Sequence, residues 1–145
     1  MMDFLQANLD YLVLGTLGFM SFLMLALVIE RYLYLKRVNV QQFSHIELLK
    51  IALTRNLTTI SSIGSNAPYV GLLGTVLGIL VTFYAMGKGG KIEVHTIMLG
   101  LAMALKATAA GLLVAIPAIL FYNALLRRVD VLVAQWQAWR DEAQA

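Results

Sequence analysis

The sequence contains no cysteine, which excludes disulfides, thiol nucleophiles and thiolate-bound metals. Its two histidines, His45 and His95, are too few for a histidine-rich metal site. Charge is scarce as well: Asp, Glu, Lys and Arg make up 13% of the 145 residues, against about 25% in a soluble domain. No Ser-His-Asp set, no pair of carboxylates within an apolar run and no phosphate loop stands out, so the sequence does not read as an enzyme. The stretch Gly74-Thr-Val-Leu-Gly78 superficially suggests a nucleotide loop, but it lacks the lysine and lies inside an apolar run.

What fills the chain is apolar. Hydrophobic types reach 60% and the mean hydropathy is +0.78, which marks an all-α integral membrane protein and excludes disorder. The net charge of +3 would suggest nucleic acid in a soluble protein. Here the basic residues flank apolar runs, as a membrane protein uses them, so no nucleic-acid partner is expected. Three runs are long enough to cross a bilayer, which takes about 20 apolar residues. The expected layout is an N-terminal segment at 1–10, a first span at 11–30, a helical segment at 31–66 and a second span at 67–86. A loop at 87–93, a third span at 94–126 and a helical tail at 127–145 complete it. The first run has no basic residue before it and is stopped by Glu30-Arg31, so it reads as a retained span rather than a cleaved signal.

Basic residues set the orientation. Arg31, Lys36, Arg37, Lys50 and Arg55 lie between spans one and two, and Arg127, Arg128 and Arg140 follow span three. Only Lys88 and Lys91 lie between spans two and three, and none precedes span one. This distribution predicts the N-terminus outside and the C-terminus inside. In the segment between the first two spans, Ile46, Leu49 and Leu53 recur at helical spacing. In the tail, Val129, Leu132, Val133 and Trp136 do the same, so span three is expected to continue inward as one helix. Trp136 and Trp139 read as packing between cytoplasmic helices, and Tyr69, Tyr84 and Tyr122 as interfacial anchors.

Small and polar residues form stripes in spans two and three. In span two they are Gly71, Gly74, Thr75, Gly78 and Thr82. In span three they are Gly100, Ala104, Ala107, Thr108, Gly111, Ala115 and Ala118. Each set shares one helical face. Such faces let helix backbones approach closely or line a pore. Thr75 and Thr108 carry hydroxyls on those faces. Each can bond its own i−4 carbonyl, or offer a polar relay to something bound there. Lys106 is the one charge deep within a span, about 18 Å along the helix from Val94 at 1.5 Å per residue, which places it near the bilayer centre. A central lysine costs about 2.5–3.5 kcal/mol on insertion scales. It points away from the small stripe, either snorkelling or lying at a subunit interface, or serving as counter-ion to a carboxylate on another chain. No Asp or Glu within a span of this chain is available to it. Pro117 is expected to free the carbonyl of Leu113 and kink span three.

Two strings carry a family resemblance: Ala67-Pro-Tyr-Val-Gly-Leu-Leu-Gly-Thr-Val-Leu-Gly-Ile-Leu80, and Ala104-Leu-Lys-Ala-Thr-Ala-Ala-Gly-Leu-Leu-Val-Ala-Ile-Pro-Ala118 with Tyr122-Asn123. Together they closely resemble the MotA/TolQ/ExbB proton-channel family, nearest its ExbB branch. The resemblance implies a homo-oligomeric ring, a pentamer, in the bacterial inner membrane, whose second and third spans line a central pore. It implies a single-pass ExbD-like partner whose aspartate carries protons, a TonB-like protein receiving the work, and no cofactor. Thr75 and Thr108 match the family's two pore threonines. Many relatives carry a glutamate five residues before the second threonine, where this chain has Met103. That departure, with Lys106, leaves the partner's aspartate as the sole titrating site. The middle segment is also shorter than in many relatives. A TolQ-like subunit serving envelope integrity and a non-conducting membrane scaffold are the alternatives. The scaffold requires the small stripes to bury only against helices of the same chain.

Overall fold

The computed structural model describes residues 2–145, and those residues form helices joined by short connections. Helix α1 covers Met2–Arg37, a 3₁₀ turn Val40–Gln42, α2 Ile46–Thr54, α3 Leu57–Gly89 and α4 Val94–Gln144. α1, α3 and α4 each hold a stretch long and apolar enough to cross a bilayer.

The ends of these helices follow from local chemistry. α1 has Asp3 in its first turn and Lys36 and Arg37 in its last, the signs that suit the helix dipole. Asn39 then caps the 3₁₀ turn, its side-chain oxygen accepting from the Gln41 N–H at 3.0 Å. Asn56 separates α2 from α3 with a φ of 68°, a left-handed value that asparagine tolerates better than most residues. α3 stops where Gly90 adopts a φ of 73° and returns its N–H to the Met86 carbonyl, a glycine C-terminal cap. The chain then turns into α4.

α3 and α4 form an antiparallel hairpin, and α1 lies along its side. Val13, Leu17, Met24, Val28, Arg31 and Leu35 are the buried residues of α1. Their spacing of about 3.5 residues marks one continuous stripe against the hairpin. Arg31 sits on that stripe at 2% exposure and still finds partners for its guanidinium. Nε and one terminal nitrogen donate to the Glu30 carboxylate, and the other reaches the carbonyls of Ala52 at 2.7 Å and Leu53 at 3.4 Å. The guanidinium also stacks 4.3 Å from the Tyr34 ring centre. These carbonyls belong to the last turn of α2, where a helix lacks internal donors and attracts cations. Leu49 and Leu53 of α2 are fully buried. The tail of α4 closes the same end, with Trp136 Nε1 donating to the Phe43 carbonyl at 3.0 Å.

Two details differ from the sequence-based layout. Residues 2–10 continue α1 as helix rather than forming a separate segment. α3 begins at Leu57, ten residues before the apolar run, so Pro68 lies inside it. α4 is one helix of 51 residues that holds Pro117.

Candidate functional site

The small stripes of α3 and α4 face each other. Gly71, Gly74, Ala104, Ala107, Gly111, Ala115 and Ala118 are buried, while the intervening Leu72, Leu73, Leu112 and Leu113 are exposed. At the tightest point a Cβ on Gly71 would stand 2.7 Å from the Ala107 carbonyl oxygen, and one on Gly111 would stand 2.7 Å from the Ala67 carbonyl oxygen. These are backbone obstacles, so only glycine admits this approach. Further along, Gly74 and Gly78 oppose the Cβ atoms of Ala107 and Ala104, and Gly100 opposes the Thr82 side chain. Thr82 itself donates to the Gly78 carbonyl at 2.8 Å. Of the two roles open to these residues, pore lining or close packing, the single chain displays packing.

The close approach brings Thr75 and Thr108 into contact across the seam. Their hydroxyls hydrogen-bond to each other. Thr75 Oγ1 also lies 3.0 Å from the Ala104 carbonyl on α4 and 3.3 Å from its own i−4 carbonyl, Gly71. The cross-helix contact is thus the shorter of the two. Thr75 is buried and Thr108 half-buried, so the pair is reached from the Thr108 side. One hydroxyl has one proton to give. When Thr75 donates to Ala104, Thr108 donates to Thr75 and shows outward only lone pairs. When Thr75 donates to Thr108, the Thr108 proton is free to point outward. The pair can therefore present either an acceptor or a donor.

Lys106 faces away from the seam, as the sequence requires, but its partner is in the same chain. Nζ lies 3.5 Å from a carboxylate oxygen of Asp10 near the start of α1. Sequence reasoning missed Asp10 because it sits beyond the apolar run and 96 positions away in the chain. No local signal joins the two; only the packing of α1 on the hairpin does. The pair also corrects the depth assigned to Lys106. Asp10 precedes Glu30 by 20 residues on one helix, about 30 Å at 1.5 Å per residue, a full hydrocarbon thickness. Lys106 therefore stands level with the Asp10 end of the uncharged run of α1, not with its middle. Met103 is half exposed and lines the same cleft as Asp10 and Lys106. Pro117 lies farther along α4, beside the buried Ala118 that faces Gly64. Among the described residues, no three His, Asp or Glu side chains converge as a metal site would need.

Three apolar helices, two of them closed by small residues around a hydroxyl pair, define a multi-pass membrane protein. The profile of the MotA/TolQ/ExbB proton channel family matches residues 35–138. The chain belongs to that family. It is 49% identical over 145 residues to the biopolymer transport protein ExbB of Aquifex aeolicus, covering 100% of this chain and 98% of the relative. To the ExbB of Helicobacter pylori strain J99 it is 53% identical over 131 residues, 90% of each. The Tol-Pal system protein TolQ of Pseudomonas aeruginosa is 40% identical over 93 residues, 64% of this chain and 40% of the relative.

Proposed function

We propose that this protein is the channel-forming subunit of an ion-driven motor in the bacterial inner membrane, with its N-terminus outside and its C-terminus inside. Several copies, five by family resemblance, surround a single-pass ExbD-like partner. Protons moving down their gradient through the complex drive a TonB-like protein and so energise transport across the outer membrane. A charge crossing the membrane releases about 2.3 kcal/mol per 100 mV, enough to bias steps between nearly equal states.

The observation that carries this reading is the Thr75–Thr108 hydroxyl pair in the hairpin seam. Methyl or alanine side chains would pack there as well, so packing alone does not call for two hydroxyls. A pair able to present a donor or an acceptor suits a site that meets a carboxylate in both its protonated and ionised forms. The proton is carried by the partner's aspartate, and Thr75 and Thr108 solvate it. Likeness along nine-tenths or more of the chain to two ExbB-named relatives supports TonB-dependent transport over the envelope-integrity role.

The scaffold reading has one observation in its favour, since the small stripes do bury within one chain. Thr108→Val separates the two. The substitution keeps size and branching but removes the outer hydroxyl. The channel reading expects rings that assemble normally and energised uptake reduced at least tenfold. Full uptake by a normally assembled Thr108→Val ring would sink the proton-path role and leave the scaffold.

A further inference from the structure

Beside the threonine pair, the start of α1 stands off the hairpin and leaves a cleft of about 400 Å³. Its wall carries Gln6, Asp10, Tyr11, Thr82, Met103 and Lys106. Its floor is Gly74, Gly78 and Ala104, and the Ala104 carbonyl is a hydrogen-bond partner of Thr75. Neither Thr75 nor Thr108 lines the cleft, which stops one backbone carbonyl short of the pair at Ala104. Val13, one turn from Asp10, touches the position of a Cβ on Gly74, so α1 packs directly on the residue before Thr75.

The charges in this cleft are not shielded by protein. Lys106 and Asp10 keep side-chain exposures of 51% and 39% while holding each other at 3.5 Å. Charged groups at the margin of an apolar span are favoured by a charged partner or a water-filled cavity. This cleft has both the volume and the several polar groups that ordered water needs. Lys106 on α4 is the charged side chain that meets Asp10; α3 contributes only the Thr82 hydroxyl to the polar wall.

We propose that the cleft is a water-filled vestibule opening to the outer face, and that Asp10 is the carboxylate receiving protons there on their way to Thr75 and Thr108. This rests on the orientation and proton path given above, and it adds a titrating carboxylate of this chain to the partner's aspartate. A hydrated proton passes to the Asp10 carboxylate and leaves water. The carboxylic acid loosens the ion pair with Lys106, then returns the proton to vestibule water over the Ala104 floor and is regenerated as carboxylate.

Because the chain has no cysteine, single-cysteine variants report one position each. In cells carrying the whole complex, a membrane-impermeant charged maleimide is applied from outside, and to inverted vesicles from inside. Met103→Cys and, as a second probe, Gln6→Cys are expected to label from outside within about tenfold of the rate at Lys91→Cys in the exposed 90–93 loop. Phe22→Cys, on the exposed face of α1 midway along its apolar run, is expected to stay unlabelled. In parallel, Asp10→Asn is expected to leave assembly and labelling unchanged but cut energised uptake severalfold, with Asp10→Glu restoring most of it. If Lys91→Cys labels from outside while both cleft probes stay as inert as Phe22→Cys, the vestibule is overturned and the orientation stands. If Lys91→Cys labels only from inside, the orientation falls and the outer vestibule with it. Full uptake by Asp10→Asn overturns its role as proton acceptor.

Discussion

A carbonyl oxygen 2.7 Å from where a Cβ on Gly71 would stand decides how near α3 and α4 come. Backbone cannot yield as a flexible side chain can, so Gly71→Ala must push the helices apart. Overpacking of this kind costs about 1–3 kcal/mol. We expect Gly71→Ala to lower the thermal midpoint of the purified complex by several degrees and to disrupt the Thr75–Thr108 contact with it. Gly15→Ala is the matched control, since nothing lies within 4 Å of its added methyl. Replacing a helical glycine by alanine favours the helix by up to about 1 kcal/mol, so its midpoint is expected to hold or rise. If Gly15→Ala destabilised as much as Gly71→Ala, the steric account of the seam would fail. Much at this scale was legible in the sequence. Small residues at i, i+3, i+4 and i+7 announce a close-packing face, and a lone lysine off that face announces a polar contact. That Asp10 is the contact was not legible, because the two residues meet only once α1 has chosen its place beside the hairpin.

At the scale of elements, three apolar runs and their flanking charges make the three long helices readable. The buried positions Val129, Leu132 and Trp136 are among those whose spacing marks a helix face in the tail. Less readable was the junction between α1 and α3. It depends on a left-handed Asn56 and on Arg31 reaching across to the carbonyls that end α2. An arginine beside a glutamate after an apolar run reads first as a stop signal, and nothing local says that it will be buried. Arg31→Lys is expected to destabilise the fold by about 1.5–3 kcal/mol, the worth of charged hydrogen bonds, because an ammonium cannot serve Glu30 and the α2 carbonyls as the planar fork does. Denaturation midpoints of the two proteins measure this, and equal midpoints would contradict it. Trp136→Phe should cost less, about 1 kcal/mol for one hydrogen bond. It should show as faster proteolysis around Phe43 without loss of the apolar helices; unchanged cleavage there would mean the bond to Phe43 holds little.

For the molecule as a whole, the helices outgrow the membrane. α4 alone has 51 residues, about 76 Å of helix against a hydrocarbon core of about 30 Å. The uncharged run of α1 lies between Asp10 on one side and Glu30-Arg31 on the other. The threonine pair, the Asp10–Lys106 pair and the cleft gather toward the N-terminal part of α1, while α2 and the tail of α4 close the other end. A ring of such chains would present a tier of hydroxyls and paired charges at one level. The most direct test of this account is native mass spectrometry of the complex gently extracted from its own membranes. The account predicts a ring of several copies of this chain holding one or two copies of a single-pass protein with an aspartate in its span. Rings or single chains that carry no such partner would contradict it.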